Sequence, residues 1–292
     1  MINNIAYYPD QCALNSKPVM DAFLNSCRGA GITPVENSLD CDAVVIWSIL
    51  WNGRMSKNKG TYEHYRSQGK PVVVIDAGAL EREVTWKIAV NNITSEGYYG
   101  HKENLDWDRP QKLGIELQEP VAGDRILIAG QHSKSLQWDG MPDLGTYAIN
   151  TIKQIRKYSD RPIMVRFHPR CQPFVPHHRF NMLLQNHGLT NCDIEIPLPV
   201  VNTYDQFDID YGFHAVVNHC SGPGINAVIA GTNVIVDPKS LAYPMSIKYK
   251  QLENPPRKRK KEQWFVEICH TEYTVDEIAE GLWLTRLENA LE

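Results

Sequence analysis

Three stretches of this chain place polar side chains and glycines where they could do chemistry. The first is Asn218-His-Cys-Ser221-Gly222-Pro223-Gly224-Ile-Asn226, between an apolar run and a short helical run. Its glycines let backbone approach a ligand closely. Pro223 suits the first helical position, where its missing N–H is harmless, and the free N–H groups and dipole of that turn favour a phosphate. Ser221 adds a hydroxyl donor. A tight turn serving only strand-to-helix geometry would use the same residues, so both readings stand on this stretch alone. The second is Arg166-Phe-His168-Pro-Arg170, after Ile163-Met-Val165. Alternation along a strand aims Arg166 and His168 the same way, with Arg170 just beyond the proline. Two guanidiniums and an imidazole would neutralise a departing diphosphate; salt-bridged arginines and a capped histidine are the plainer alternative. The third is Gly130-Gln131-His132-Ser-Lys134, a polar loop after an apolar strand. No G-x-x-x-x-G-K-[ST] pattern accompanies it.

Two further features are weaker. Asp76 ends the run Val72-Val-Val-Ile75 and precedes Ala77-Gly78. A carboxylate there can act as general base toward a hydroxyl, with His132 as a second candidate, or it can cap the next turn. The run Arg257-Lys258-Arg259-Lys260-Lys261 has the composition of a phosphate-tracking segment, with Trp264 and Phe265 as possible stacking partners. A solvated loop is the alternative. His177 and His178 are adjacent and cannot share a helical face, so no metal site is expected.

The elements that must position these residues follow from periodicity. Short apolar runs alternate with amphipathic stretches, the pattern of parallel sheets covered by helices. Strands are expected at 5–8, 43–47, 72–76, 125–129, 163–167, 215–218 and 234–237. Helices are expected at 17–28, 61–68, 144–158, 179–187, 223–230 and through 261–291, the last with Thr274 as an N-cap. Residues 91–121, rich in Gly, Asn, Asp, Trp and Pro, read as a crossing segment. The expected fold is α/β: two doubly wound, Rossmann-like lobes, 1–118 and 119–292, with parallel sheets facing a central crevice. Ligands of such folds bind beyond the carboxyl ends of strands, and each stretch above follows a strand.

Composition sets the outer bounds. The chain has 292 residues, 42% hydrophobic and 22% charged, with net charge −4. That is ordinary for a globular protein. It disfavours bulk attraction to nucleic acid or anionic membrane, while leaving room for a local basic patch. No run approaches the roughly 18 apolar residues of a membrane helix. The first residues lack a signal-peptide pattern, and seven scattered cysteines read as free thiols of a reducing cytoplasm.

His168-Pro169, Asn218–Gly224, Ala227–Gly231 and Val234–Asp237 together resemble the C-terminal lobe of GT-B glycosyltransferases, in the style of capsule-type Kdo transferases and UDP-sugar 2-epimerases. The runs 47–55, 69–78, 85–91 and 240–245, with the ending from Gln263-Trp264 to Gly281, resemble bacteriophage-encoded glycosyltransferases, some of which look like DNA-modifying enzymes. The resemblance implies a metal-independent transferase with no permanently bound cofactor. A nucleotide-sugar, UDP-linked by preference, would bind the C-terminal lobe through Gly130, Gln131, Arg166, His168, Arg170, Ser221, Gly222, Pro223, Gly224 and Asn226. A hydroxyl acceptor would bind the N-terminal lobe near Asp76. The favoured acceptor is a hydroxymethylated pyrimidine in phage DNA, with Trp47, Trp51, Arg54 and residues 257–261 as lips of the crevice; a glycan acceptor or a 2-epimerase of the same fold is the alternative. His219-Cys220-Ser221 departs from the paired hydroxyl residues usual before the helix, and Asn226 stands where a Glu is usual.

Overall fold

The computed structural model describes residues 2–120, 123–174, 177–196, 209–256 and 260–292, without the side chains of 172–174, 177 and 178. In chain order the first elements are β1 (Asn4–Tyr7), α1 (Lys17–Gly29), β2 (Thr33–Glu36), β3 (Ala43–Trp47), α2 (Asn58–Ser67), β4 (Val72–Ala77), β5 (Trp86–Val90) and α3 (Arg109–Lys112). They are followed by β6 (Ile126–Ala129), α4 (Leu144–Ile155), β7 (Ile163–Arg166), α5 (His177–Asn186), β8 (Cys192–Glu195), β9 (Ala215–Asn218), α6 (Gly222–Ile229) and β10 (Asn233–Ile235). The chain ends with α7 (Lys261–Cys269), β11 (Glu272–Tyr273), α8 (Val275–Ala279) and α9 (Leu282–Leu287).

These elements form two compact units. One comprises residues 1–115, 134–136 and 266–292, the other 116–133 and 137–265. A single boundary at 118 would place the C-terminal segment in the second unit. Instead β11 joins the first sheet, pairing antiparallel with β5. The stretch 261–291, expected to be helical, holds three helices with a two-residue strand between the first two. Thr274 does cap α8, in a reciprocal box with Glu277.

The sheet of the first unit runs β11-β5-β4-β3-β1-β2. β2, β1, β3 and β4 are parallel, and β5 turns back antiparallel to β4. β3 and the first four residues of β4 are buried runs dominated by β-branched residues, as strands covered on both faces must be. α1 covers this sheet with Val19, Met20, Phe23, Leu24 and Cys27, spaced on one helical face. Trp283 of α9 stacks on Phe23 at 4.3 Å between ring centroids and donates to the Ser26 hydroxyl.

In the second unit β10-β9-β6-β7-β8 form a wholly parallel five-stranded sheet. Ile126, Ile128, Ile163, Val165, Ala215 and Val217 pack with Leu144, Ile149 and Ile152 of α4 and with Phe180 and Leu184 of α5. Each such aliphatic side chain contributes about 1.5–3 kcal/mol on burial. Asp143 starts α4 by accepting from the Gly145 and Thr146 amides.

All seven cysteines are free thiols, with Cys192 and Cys220 half-buried and the other five buried. Burial pushes the Cys12 thiol up to about 11 and those of Cys27 and Cys269 up to about 12. A thiol reagent at pH 8 should therefore label Cys192 and Cys220 first and the rest only on unfolding. Peptide mapping that found Cys27 or Cys269 modified in the native protein would contradict this packing.

His270 gives the first unit an acid-sensitive joint. Its Nδ1–H donates to the Val266 carbonyl, and its Nε2 accepts from the Asp106 amide at 3.2 Å. Burial, with Arg109 and Arg286 nearby, lowers its pKa below the ordinary 6.5. The unfolded chain thus binds the proton more readily. The contribution is complete above pH 6.5 and is lost as pH falls toward the lowered folded value. Urea midpoints for His270→Asn should vary less between pH 6.5 and pH 5 than wild-type midpoints; parallel curves would exclude this linkage.

Candidate functional site

The parallel order β9-β6-β7 sets the carboxyl ends of three strands side by side, with Ala129 in register with both Arg166 and Asn218. All three polar stretches read from the sequence therefore meet at one sheet edge. Gly130 donates its N–H to the Arg166 carbonyl at 2.8 Å. The buried Asn218 amide donates to the Ala129 carbonyl at 2.8 Å and to the Ser221 hydroxyl at 2.9 Å, while its oxygen accepts the Ser221 N–H. Gln131, also buried, accepts the Cys220 N–H at 3.1 Å. Asn218 thus fixes the turn into α6; the sequence reading gave it no role.

Ser221 is the N-cap of α6, yet its side chain makes no capping hydrogen bond. Pro223 is the second helical residue rather than the first, one place from the expected position. Gly224 lets α6 lie close to its neighbours, since a methyl group there would press on Val236. The Asn226 amide oxygen is buried, with no hydrogen-bond partner among the described residues. His132 and His168 stand edge to face, 5.1 Å between centroids, with the Arg170 N–H on the His168 Nδ1. The buried His132 thus follows the carboxyl end of β6, and His168 and the exposed Arg170 follow that of β7, on the same side of the sheet as the start of α6 after β9.

Arg166 has a protein partner within the sheet. It is buried and ion-paired with Glu195 of β8 at 2.9 Å, the salt-bridged alternative read from its sequence. β8 was not among the expected strands, so this partner was out of view.

The aromatic and basic residues assigned to an acceptor sort differently. Trp47 is buried against Trp86, and Trp51 packs on Tyr62. Trp264 and Phe265 are also buried, with the Trp264 indole donating to the Leu241 carbonyl. None of Trp47, Trp264 and Phe265 can stack a base, because each fills a core. Arg54 is exposed, its Nε on the Cys12 carbonyl. Lys261 is half-buried, with its ammonium on the Gln118 carbonyl, and Lys260 is exposed. Arg257, Lys258 and Arg259 lie outside the described residues.

In the first unit Asp76 lies near the end of β4. Its carboxylate accepts the Ser48 hydroxyl at 3.0 Å and the Ala77 N–H at 2.7 Å. Ser48 adopts a left-handed backbone, φ 61°, uncommon for a residue with a side chain. Burial raises the Asp76 pKa above the ordinary carboxylate value, opposed by those two hydrogen bonds and by Lys87 and Arg82. Burial, with the charges of Glu272 and Asp76 nearby, pushes the Tyr99 phenol well above its ordinary value.

Glu272 was missed entirely. It is fully buried and accepts the N–H groups of Ala79 and Leu80 and the Thr85 hydroxyl, while pairing with Lys87 at 3.7 Å. Gly78 makes room for it: a methyl group there would overlap the Thr85 carbonyl and the Glu272 carboxylate. A lone acidic residue between Thr271 and Tyr273 carries no sequence signal for this role.

Two α/β units, each with a parallel-dominated sheet, define the fold as GT-B-like and Rossmann-like. One solved structure that shares it is Thermosulfurimonas dismutans KpsC, a β-Kdo 2,4-transferase, with TM-score 0.53 and 14% identity over 96% of this chain and 98% of that one. The β-Kdo 2,7-transferase of KpsC from the same organism aligns with TM-score 0.49 and 13% identity over 98% and 99% of the two chains. A UDP-N-acetylglucosamine 2-epimerase of Listeria monocytogenes aligns at 0.33 and 9%, over 100% and 98%. No protein-family model matches the chain, and no curated protein matches its sequence. Among the described residues no helix is long and apolar enough to cross a membrane.

Proposed function

We propose that this chain is a glycosyltransferase that moves a sugar from a nucleotide-sugar to an acceptor hydroxyl, with its second unit holding the donor diphosphate. The observation that carries this reading is the convergence of three polar strand ends on the uncapped start of α6. An uncapped helix start beside imidazoles and an exposed arginine suits an anion. In this reading Asp76 takes the proton of the acceptor hydroxyl. The acceptor oxygen bonds the anomeric carbon, the bond from that carbon to the phosphate oxygen breaks, and the nucleoside diphosphate leaves onto the helix N–H groups, Arg170 and the two imidazoles. A carboxylate with a raised pKa is a better base near neutral pH. UDP is the preferred nucleotide.

The acceptor is proposed only as a hydroxyl compound. Three aromatic side chains once available to stack bases are core residues, which removes the support for a flipped DNA base.

Calorimetric titration with UDP, GDP, CDP and ADP tests the donor site. One diphosphate should bind, and His168→Ala should weaken it about tenfold, the loss of one charge-assisted contact. Binding of none would overturn the reading. Incubation with the matching nucleotide-sugar then separates transfer from epimerisation, since an epimerase would change the sugar with no acceptor present.

A further inference from the structure

Asp76 and Lys87 are directly opposite across β4 and β5, and Lys87 and Glu272 are directly opposite across β5 and β11. Opposite residues on neighbouring strands share a face of the sheet. Ser48, the residue after β3, extends the series with its hydroxyl on Asp76. A polar row of hydroxyl, carboxylate, ammonium and carboxylate therefore crosses four strands. Around it, β3, β4 and β5 are otherwise runs of buried Val, Ile, Ala and Trp.

The two carboxylates are held differently. Glu272 accepts three hydrogen bonds and the Lys87 ion pair, and through the Ala79, Leu80 and Thr85 bonds it also pins the turn that follows Asp76. Asp76 accepts from one hydroxyl and one N–H. A buried ammonium shared by two carboxylates neutralises one at the expense of the other, because each competes for the same charge.

We propose that Glu272 is a positioning residue for Asp76: it holds the Lys87 ammonium to itself and pins the 78–85 turn, so that Asp76 keeps a basic carboxylate. The groups acting on Asp76 are Ser48 just after β3, the Ala77 N–H, Lys87 from β5 and Arg82 from the turn, with Glu272 acting through Lys87. The catalytic consequence rests on the glycosyltransferase reading; the control of the Asp76 charge does not.

The test is a carboxyl titration by NMR of protein labelled with carbon-13 at the aspartate side-chain carboxyl, the Asp76 signal being assigned by its loss in Asp76→Asn. In Glu272→Gln the freed ammonium attracts Asp76, so its midpoint should move down. In Lys87→Met the midpoint should move up, and Glu272→Asp should restore most of the wild-type value. An Asp76 midpoint unmoved in folded Glu272→Gln, or moved the same way in both variants, would overturn the proposal. A merely structural Glu272 would lower the melting temperature without producing shifts of opposite sign. Should Glu272→Gln fail to fold, Lys87→Met decides alone: an unchanged or lowered midpoint overturns the proposal. Absence of any sugar transfer by the wild-type chain would count against the proposed function and leave the titration result standing.

Discussion

Replacing Arg109 with alanine should destabilise the first unit by about 3–5 kcal/mol, the cost of breaking a buried ion pair from one side. The guanidinium is buried in α3. It forks onto both Glu277 oxygens at 2.7 and 3.0 Å, gives its Nε to the Cys269 carbonyl and reaches the Glu272 carbonyl. It also lies 5.3 Å from the centre of the Tyr273 ring. One side chain therefore ties residues 106–112 to the segment carrying β11 and the start of α8. Alanine would leave two carbonyls unsatisfied and Glu277 without its cation. Glu277 is burdened by burial, yet its pKa ends below the ordinary value because Arg109 and the Thr274 N–H bind the ionised form. A depressed carboxylate contributes stability above its unfolded pKa and loses it as pH falls through the folded one. The deficit of Arg109→Ala should thus be full at neutral pH and shrink below about pH 4. Urea unfolding followed by tryptophan fluorescence measures it. Arg109→Lys, which keeps the charge but not the planar fork, should recover only part. A loss below about 1 kcal/mol, the worth of an exposed pair, would show that the segment is held by apolar packing alone.

The same clamp shows where the sequence was legible. β3, β4, β6, β7 and β9 could be read because continuous β-branched runs admit few other fates, and the alternation of strand and helix gave the α/β class. β2, β5, β8 and β11 were missed for physical reasons: β5 carries Lys87 inside its short apolar run. β2 holds a proline and lies at a sheet edge, β8 is a half-polar edge strand, and β11 is two residues long. Three of these omissions hid a partner: without β8 the Glu195 that claims Arg166 was invisible, and without β5 and β11 so were Lys87 and Glu272. The strand-end cluster of the second unit was legible because its residues directly follow strands that could be read. The row from Ser48 to Glu272 was not, because it exists only through register, which no local pattern around Lys87 or Glu272 encodes.

Changing Asp76 to asparagine should reduce sugar transfer by about 10²–10⁴-fold, the range expected for loss of a general base. The substitution keeps the shape and can still accept from Ser48 and the Ala77 amide, so the loss would report the missing basicity. Nucleotide binding should be unchanged, because the proposed diphosphate site uses residues of the second unit only. The pH profile adds a sign. Asp76 works ionised and its pKa is raised, so wild-type activity should fall in acid through a limb displaced above the ordinary carboxylate value. The residual activity of the variant should lack that limb. Stability should move the other way. A carboxylate whose folded pKa exceeds its unfolded one costs stability at neutral pH, where it is held ionised in a site that prefers it neutral. Asparagine removes that cost, so the melting temperature should hold or rise while turnover collapses, the signature of a residue kept for activity. A variant that retained wild-type turnover would exclude Asp76 as the base and shift attention to His132, whose replacement by alanine would then carry the loss. Turnover and melting temperature falling together would mark Asp76 as the anchor of the turn after β4, since a damaged fold loses both.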